Sequence, residues 1–155
     1  MANPFVHIEL AADDVDAAKK FYGSVFDWKL KDSDMGGGMT YTMLNVGKGT
    51  GGGMMKKHMS GQPTAWLPYV EVADVDASLS KARAAGANVV VERTEIGQGM
   101  GAFGVIVDPQ GASLGLWEAR KAAPAKRSAA KKKAAKPAKK AKAAKPAKAK
   151  KKGKR

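Results

Sequence analysis

The chain of 155 residues contains no cysteine. A disulfide framework and a thiolate metal site are therefore excluded. The opening residues, MANPFVHIEL, have neither a basic leader nor a long apolar segment, and no apolar run approaches the length needed to cross a bilayer. A cytoplasmic protein without a membrane span is expected. Acidic residues are missing from two stretches, between Asp34 and Glu71 and everywhere after Glu118. The first gap bears on metal binding and the second on partners.

Against 14 acidic residues the chain carries 28 lysines and arginines, but the average hides a division near residue 120. Residues 1–120 hold 11 basic and all 14 acidic residues, a net of −3, whereas residues 121–155 hold 17 basic residues and no acid. All aromatic residues and 17 of the 18 glycines lie in the first part. That part can bury one ordinary globular core. One domain over residues 1–120 is expected, followed by a disordered Lys/Ala/Pro-rich tail over 121–155.

Within the domain, residues 5–10 alternate, with Val6, Ile8 and Leu10 on one face and Phe5, His7 and Glu9 on the other, the period of a strand. Asp13 or Asp14 can cap a helix that Val15, Ala18, Tyr22 and Phe26 carry toward Trp28. Strands are expected over 40–46 and around Met54 and Met55, separated by glycine-rich turns. The order then returns, with a strand over 69–72, a helix over 74–85 stopped by Gly86 and a strand over 89–92. A hairpin follows, 103–107 and 113–117, turning at Asp108-Pro109-Gln110-Gly111. Asp14-Val15-Asp16-Ala17 recurs as Asp74-Val75-Asp76-Ala77 at an offset of 60. The same offset superimposes the preceding strands and the following helices, so two βαβββ units, about residues 4–60 and 64–119, are the economical reading of an α+β domain.

His7 on the first strand, Phe21-Tyr22 in the helix, the Trp66-Leu67-Pro68-Tyr69-Val70-Glu71-Val72 opening of the second half and Asp108-Pro109-Gln110-Gly111 before the last strand together resemble the vicinal oxygen chelate superfamily. That group holds the glyoxalases, bleomycin resistance proteins and extradiol dioxygenases. The likeness covers residues 4–119 and is greatest to small two-module, glyoxalase-like proteins. It implies paired βαβββ modules whose curved sheets enclose a cavity, with helices outside and pairing into a homodimer.

The resemblance also implies a divalent ion held by four residues, two from each module, on the first and last strands. His7 occupies the first such position. Its counterpart 60 residues on is Leu67, which cannot coordinate. The carboxylate due near residues 52–55 falls in the acid-free stretch, and the last position, seven residues beyond Asp108, is Gly115. At most one of four ligands remains, and a lone imidazole is a poor divalent site. No metal site and no cofactor are expected. Recruitment of His58 and Glu9 beside His7 is the less favoured route by which a divalent ion would bind.

On the superfamily fold, strand alternation gathers His7, Glu9, Met54, Leu67, Tyr69, Gly115 and Trp117 around an apolar, roomy pocket with few polar groups, suited to a small organic molecule. Met54 is included as a flexible thioether able to adapt to a ligand, although core filling is the favoured reading of any single methionine. His7 and Glu9 are candidates for catalysis as a proton-transfer pair, although i,i+2 strand neighbours stand about 6–7 Å apart at the backbone. Gly36-Gly37-Gly38 and Gly51-Gly52-Gly53 lack the strand-to-helix setting of a phosphate loop.

The tail repeats Ala-Ala-Lys-Pro-Ala-Lys at 134–139 and 143–148, and in composition it resembles the lysine-rich tails of linker histones. Lys126, Arg127, Lys131, Lys132, Lys133, Lys139, Lys140, Lys151 and Lys152 are candidates for non-specific contact with nucleic acid through counterion release. The absence of interleaved aromatics argues against stacking on single-stranded bases. Three functions compete. The chain is a binding module for a small organic molecule, tethered to nucleic acid and so nucleoid-associated. Alternatively it is a glyoxalase-type lyase, isomerase or oxygenase acting through His7, or an accessory nucleoid protein whose tail is the function.

Overall fold

The computed structural model describes residues 2–59 and 61–120. In chain order the elements are β1 (Phe5–Ala12), α1 (Val15–Val25), β2 (Lys29–Asp34), β3 (Thr40–Asn45), β4 (Gly52–Lys56), β5 (Ala65–Glu71), α2 (Val75–Ala84), β6 (Asn88–Ile96), β7 (Gly101–Val107) and β8 (Ser113–Glu118). This is βαβββ twice. The lysine-rich segment over 121–155, with every nucleic-acid residue proposed in it, lies outside the described residues.

The recurring Asp-Val-Asp-Ala is a helix-starting device. Asp14 and Asp74 sit at the N-caps in extended backbone, and each accepts a hydrogen bond from the third residue on, Ala17 N and Ala77 N, at 2.9 Å. Each cap satisfies an otherwise orphaned amide, and Asp16 and Asp76 add negative charge to the first turn, where the helix dipole favours it. The Asp108 turn is similarly local. Its Oδ1 accepts from Gln110 N at 2.8 Å and Ala112 N at 2.9 Å, and Gly111 takes φ +92°, a conformation other residues adopt only with strain.

All eight strands form a single sheet in the order β2-β3-β4-β1-β5-β8-β7-β6. The modules join where β1 pairs antiparallel with β5, while β1–β4 and β5–β8 are the parallel pairs within each module. Both helices lie on one face. There Leu10, Ala12, Leu44 and Met54 pack with Val15, Ala18 and Tyr22 of α1, and Val75 and Leu79 of α2 pack with Leu116, Val89 and Ile106. A Cβ on Gly104 of β7 would stand 3.1 Å from Leu79 Cδ1, so glycine lets α2 settle close to the sheet. Trp66 donates its indole N–H to the Tyr22 hydroxyl at 3.0 Å, satisfying the polar atom of a large ring in the α1 core.

The sequence expectations differ from the structure at four places, and at one of them the strand expected over 89–92 runs on as β6 over Asn88–Ile96. The first helix ends at Val25, because Phe26 turns to extended backbone, φ −130° and ψ 149°. The Lys-Leu-Lys-Asp-Ser-Asp segment that follows is the edge strand β2, exposed at four of its six residues, so no clean apolar alternation marks it. The second module's first strand begins at Ala65 rather than residue 69. Pro68 is tolerated within it because the β8 ladder engages only from Tyr69 onward.

Leu79 is 1% exposed and anchors the second core, whereas Phe21 on α1 is 61% exposed. In chemical denaturation, Leu79→Ala is expected to lose about 2–5 kcal/mol of stability. Phe21→Ala is expected to change it by no more than about 0.5 kcal/mol. Equal losses would mean that the Phe21 face of α1 is covered in solution.

Candidate functional site

The face without helices carries the polar chemistry. Alternation along β1 turns Leu10 into the α1 core and sends His7 and Glu9 to the other side. Antiparallel pairing sets Tyr69 opposite His7 and Leu67 opposite Glu9, while β4 places Gly53 beside Glu9 and β8 places Gly115 beside Tyr69. Tyr41 arrives from β3.

Both tyrosines lie over glycines. A Cβ on Gly53 would stand 2.1 Å from the Tyr41 hydroxyl oxygen, and one on Gly115 would stand 2.3 Å from Tyr69 Cδ1. Any larger residue at either position would evict the ring. With the glycines in place, Tyr41 donates to Glu9 Oε2 at 3.0 Å and Tyr69 donates to Glu9 Oε1 at 3.2 Å. The Tyr41 oxygen also lies 2.6 Å from His7 Nε2. A phenol has one hydrogen and a carboxylate can only accept, so the Tyr41 proton points to Glu9 and His7 supplies the hydrogen of the 2.6 Å contact. This assigns the imidazole hydrogen to Nε2 and leaves Nδ1 with a lone pair.

Electrostatics reinforce the arrangement. Burial pulls the His7 pKa below its ordinary value, with partial opposition from the Glu9 charge, so the ring is neutral at physiological pH. Burial is also the first cause that raises Tyr41 and Tyr69, followed by the Glu9 charge, which disfavours a phenolate beside it. The rings assemble into a wall. His7 and Tyr69 meet edge to face at 5.9 Å between centroids, His7 and Tyr41 stack at 6.3 Å, and Phe103 meets Tyr69 at 6.3 Å.

Of the residues singled out in the sequence, His7, Glu9, Tyr69 and Gly115 come together, with Leu67 in register beside them. Trp117 is on the same face, further along β8 and opposite Phe103. Met54 is a correction. It pairs with Leu10, is 0% exposed and fills the α1 core on the opposite side of the sheet. The roomy apolar pocket is a second correction, since the space above Gly115 is filled by the Tyr69 ring. Among the described residues, a cleft of about 460 Å³ beside Arg93, Gly99 and Arg120 and one of about 140 Å³ beside Ile8, Trp28 and Trp66 include neither His7 nor Glu9. His58 is exposed in the segment after β4. Tyr41 and Gly53 escaped the sequence reading. The available signal was a second glycine on the last strand of the first module, matching Gly115 on that of the second.

Residues 5–116 match the sequence model of the Glyoxalase/Bleomycin resistance protein/Dioxygenase superfamily. Over 118 residues the chain is 36% identical to CFP32 of Mycobacterium bovis, a protein named provisionally as a glyoxylase, and equally to CFP32 of Mycobacterium tuberculosis. The match covers 74% of this chain and 45% of those proteins, so the chain spans about half the length of the curated relatives it matches. Among solved structures, the hypothetical protein BH1468 of Bacillus halodurans superposes with a TM-score of 0.60 at 14% identity, covering 79% of this chain and 99% of that one. Methylmalonyl-CoA epimerase of Mycobacterium tuberculosis does so with a TM-score of 0.55 at 20% identity, covering 76% and 88%. At these identities the two structures speak for the shared fold alone.

The pKa shifts make stability pH-dependent at both ends. The folded His7 binds its proton more weakly than the unfolded one, so its contribution is an acid penalty. Stability should fall as pH drops below the ordinary imidazole value of 6.5, and His7→Gln should flatten that part of the curve. Tyr41 and Tyr69 hold their protons more tightly when folded, so stability should be lost above the ordinary phenol value of 10.0. Spectrophotometric titration should show both ionising later than that value, with Tyr41→Phe and Tyr69→Phe each removing one late step.

Proposed function

The chain belongs to the Glyoxalase/Bleomycin resistance protein/Dioxygenase superfamily, and we propose that within it the protein binds a small organic molecule without a divalent metal, its basic tail contacting nucleic acid. The observation that carries this reading is the replacement of the implied metal ligands by an organic cluster. Tyr41 from one module and Tyr69 from the other cover Gly53 and Gly115 and converge on Glu9. Two modules thereby build one hydrogen-bonded centre on the helix-free face, where Met43 is 45% exposed and offers an apolar edge.

The donor set does not fit the metal that the superfamily implies. Among the described residues no three His, Cys, Asp or Glu side chains come together. Glu9 is engaged by two phenols and His7 Nε2 by Tyr41, and burial beside Glu9 keeps the phenols protonated and so poor ligands for a cation. What the cluster does offer is fixed hydrogen-bonding geometry among aromatic rings, the usual way a small-molecule site sets orientation. The tail supplies a separate activity. Its 17 positive charges in 35 residues favour polyanions over any specific sequence.

Protein purified without chelator should contain no stoichiometric divalent ion by elemental analysis, and added chelator should leave its Tm unchanged. A retained stoichiometric ion whose removal lowers Tm would overturn the metal-independent reading. The full chain should bind duplex DNA of unrelated sequences with similar affinity, falling steeply with salt, and a chain ending at residue 120 should lose that binding. Salt-independent or tail-independent binding would overturn the assignment of the tail.

A further inference from the structure

From the inventory of hydrogens in the Glu9 cluster we infer that its ligand is an organic cation, a protonated or quaternary amine on an aromatic or apolar body. This rests on the binding reading above and deepens it. The cluster owns three polar hydrogens, on the Tyr41 and Tyr69 hydroxyls and on His7 Nε2, and all are used inside it. The lone pairs that remain belong to Glu9, the two phenol oxygens and His7 Nδ1, which has no partner among the described residues. The centre therefore has acceptors to offer and no donors.

Charge points the same way. Glu9 takes part in none of the ion pairs among the described residues, where Asp13, Asp16, Asp32, Asp76, Glu92, Glu95 and Glu118 do. A half-buried carboxylate whose hydrogen bonds come only from phenols, with no basic side chain paired to it among the described residues, is a ready partner for an incoming cation. The other ionisable groups that strand alternation puts on this face are Glu71, which adds negative charge on β5, and Lys29 and Lys31, both on the edge strand β2. Lys31 lies three strands from β1, about 14 Å at the usual strand spacing. Tyr41, His7, Tyr69 and Phe103 complete the site with π faces and edges around the carboxylate, surroundings that suit an ammonium group. A carboxylate or enediolate ligand would meet lone pairs and like charge.

The test uses the full chain and four probes of similar size: benzyltrimethylammonium, benzylammonium, benzyl alcohol and phenylacetate, each followed by thermal shift and by NMR titration of the His7 and tyrosine resonances. The two cations should raise Tm by about 5 °C at saturation and move the cluster resonances. The alcohol and phenylacetate should do neither, and Glu9→Gln should weaken cation binding at least tenfold. If the alcohol or phenylacetate occupies the cluster as well as the cations do, the cation inference falls and the binding reading stands. If none of the four moves the cluster resonances, both fall. Should Glu9→Gln not fold, Tyr69→Phe decides. It removes one phenol from the carboxylate without changing charge, so cation affinity should hold or rise, and a tenfold loss would overturn the inference.

Discussion

The carboxylate of Glu9 is the point on which the two halves of the molecule agree. One oxygen is held by Tyr41 from the first module and the other by Tyr69 from the second, so a single ionised group on β1 bonds across both sides of the central strand. Hydrogen bonds to charged groups are worth about 1.5–3 kcal/mol each, enough to offset much of the cost of drawing a carboxylate out of water. The bonds also rigidify. A neutral His7 locked by its Nε2 hydrogen to Tyr41, and two phenols prevented from ionising, leave no member of the cluster free to reorient without breaking a bond to its neighbour.

This network exists because of two absences. Only glycine at 53 and 115 leaves room for a phenol ring to lie against the strand, and both positions belong to the last strands of their modules, where the superfamily resemblance places a metal ligand. Glycine at each position leaves the space that a tyrosine ring fills. The same two glycines carry no side-chain donor and make room for the hydrogen-bonded cluster. The pseudo-symmetry is chemical as well as topological, with ring over glycine in each module, but the carboxylate comes from β1 alone because its register partner is Leu67.

The domain and the tail differ in sign as well as in composition, −3 against +17. On the proposed reading, the acceptor-rich centre of the slightly acidic body takes positively charged small molecules and the tail takes polyanions. The two preferences do not compete for the same ligand.

By itself the sequence determined the βαβββ duplication, the helix starts at Asp14 and Asp74, the hairpin at Asp108 and the lack of any carboxylate between Asp34 and Glu71. Each of these depends on neighbours along the chain or on which atoms a side chain possesses. It also singled out His7, Glu9, Tyr69 and Gly115, because strand alternation fixes facing over a few residues. Only the tertiary structure decided that Tyr41 joins them, 32 residues from Glu9, and that Met54 faces the opposite core. Only the fold showed that the space above Gly115 is filled. Those outcomes turn on the register between strands distant in sequence. A shift of one residue exchanges the two faces of a strand, and no local pattern in β3 or β4 fixes that shift.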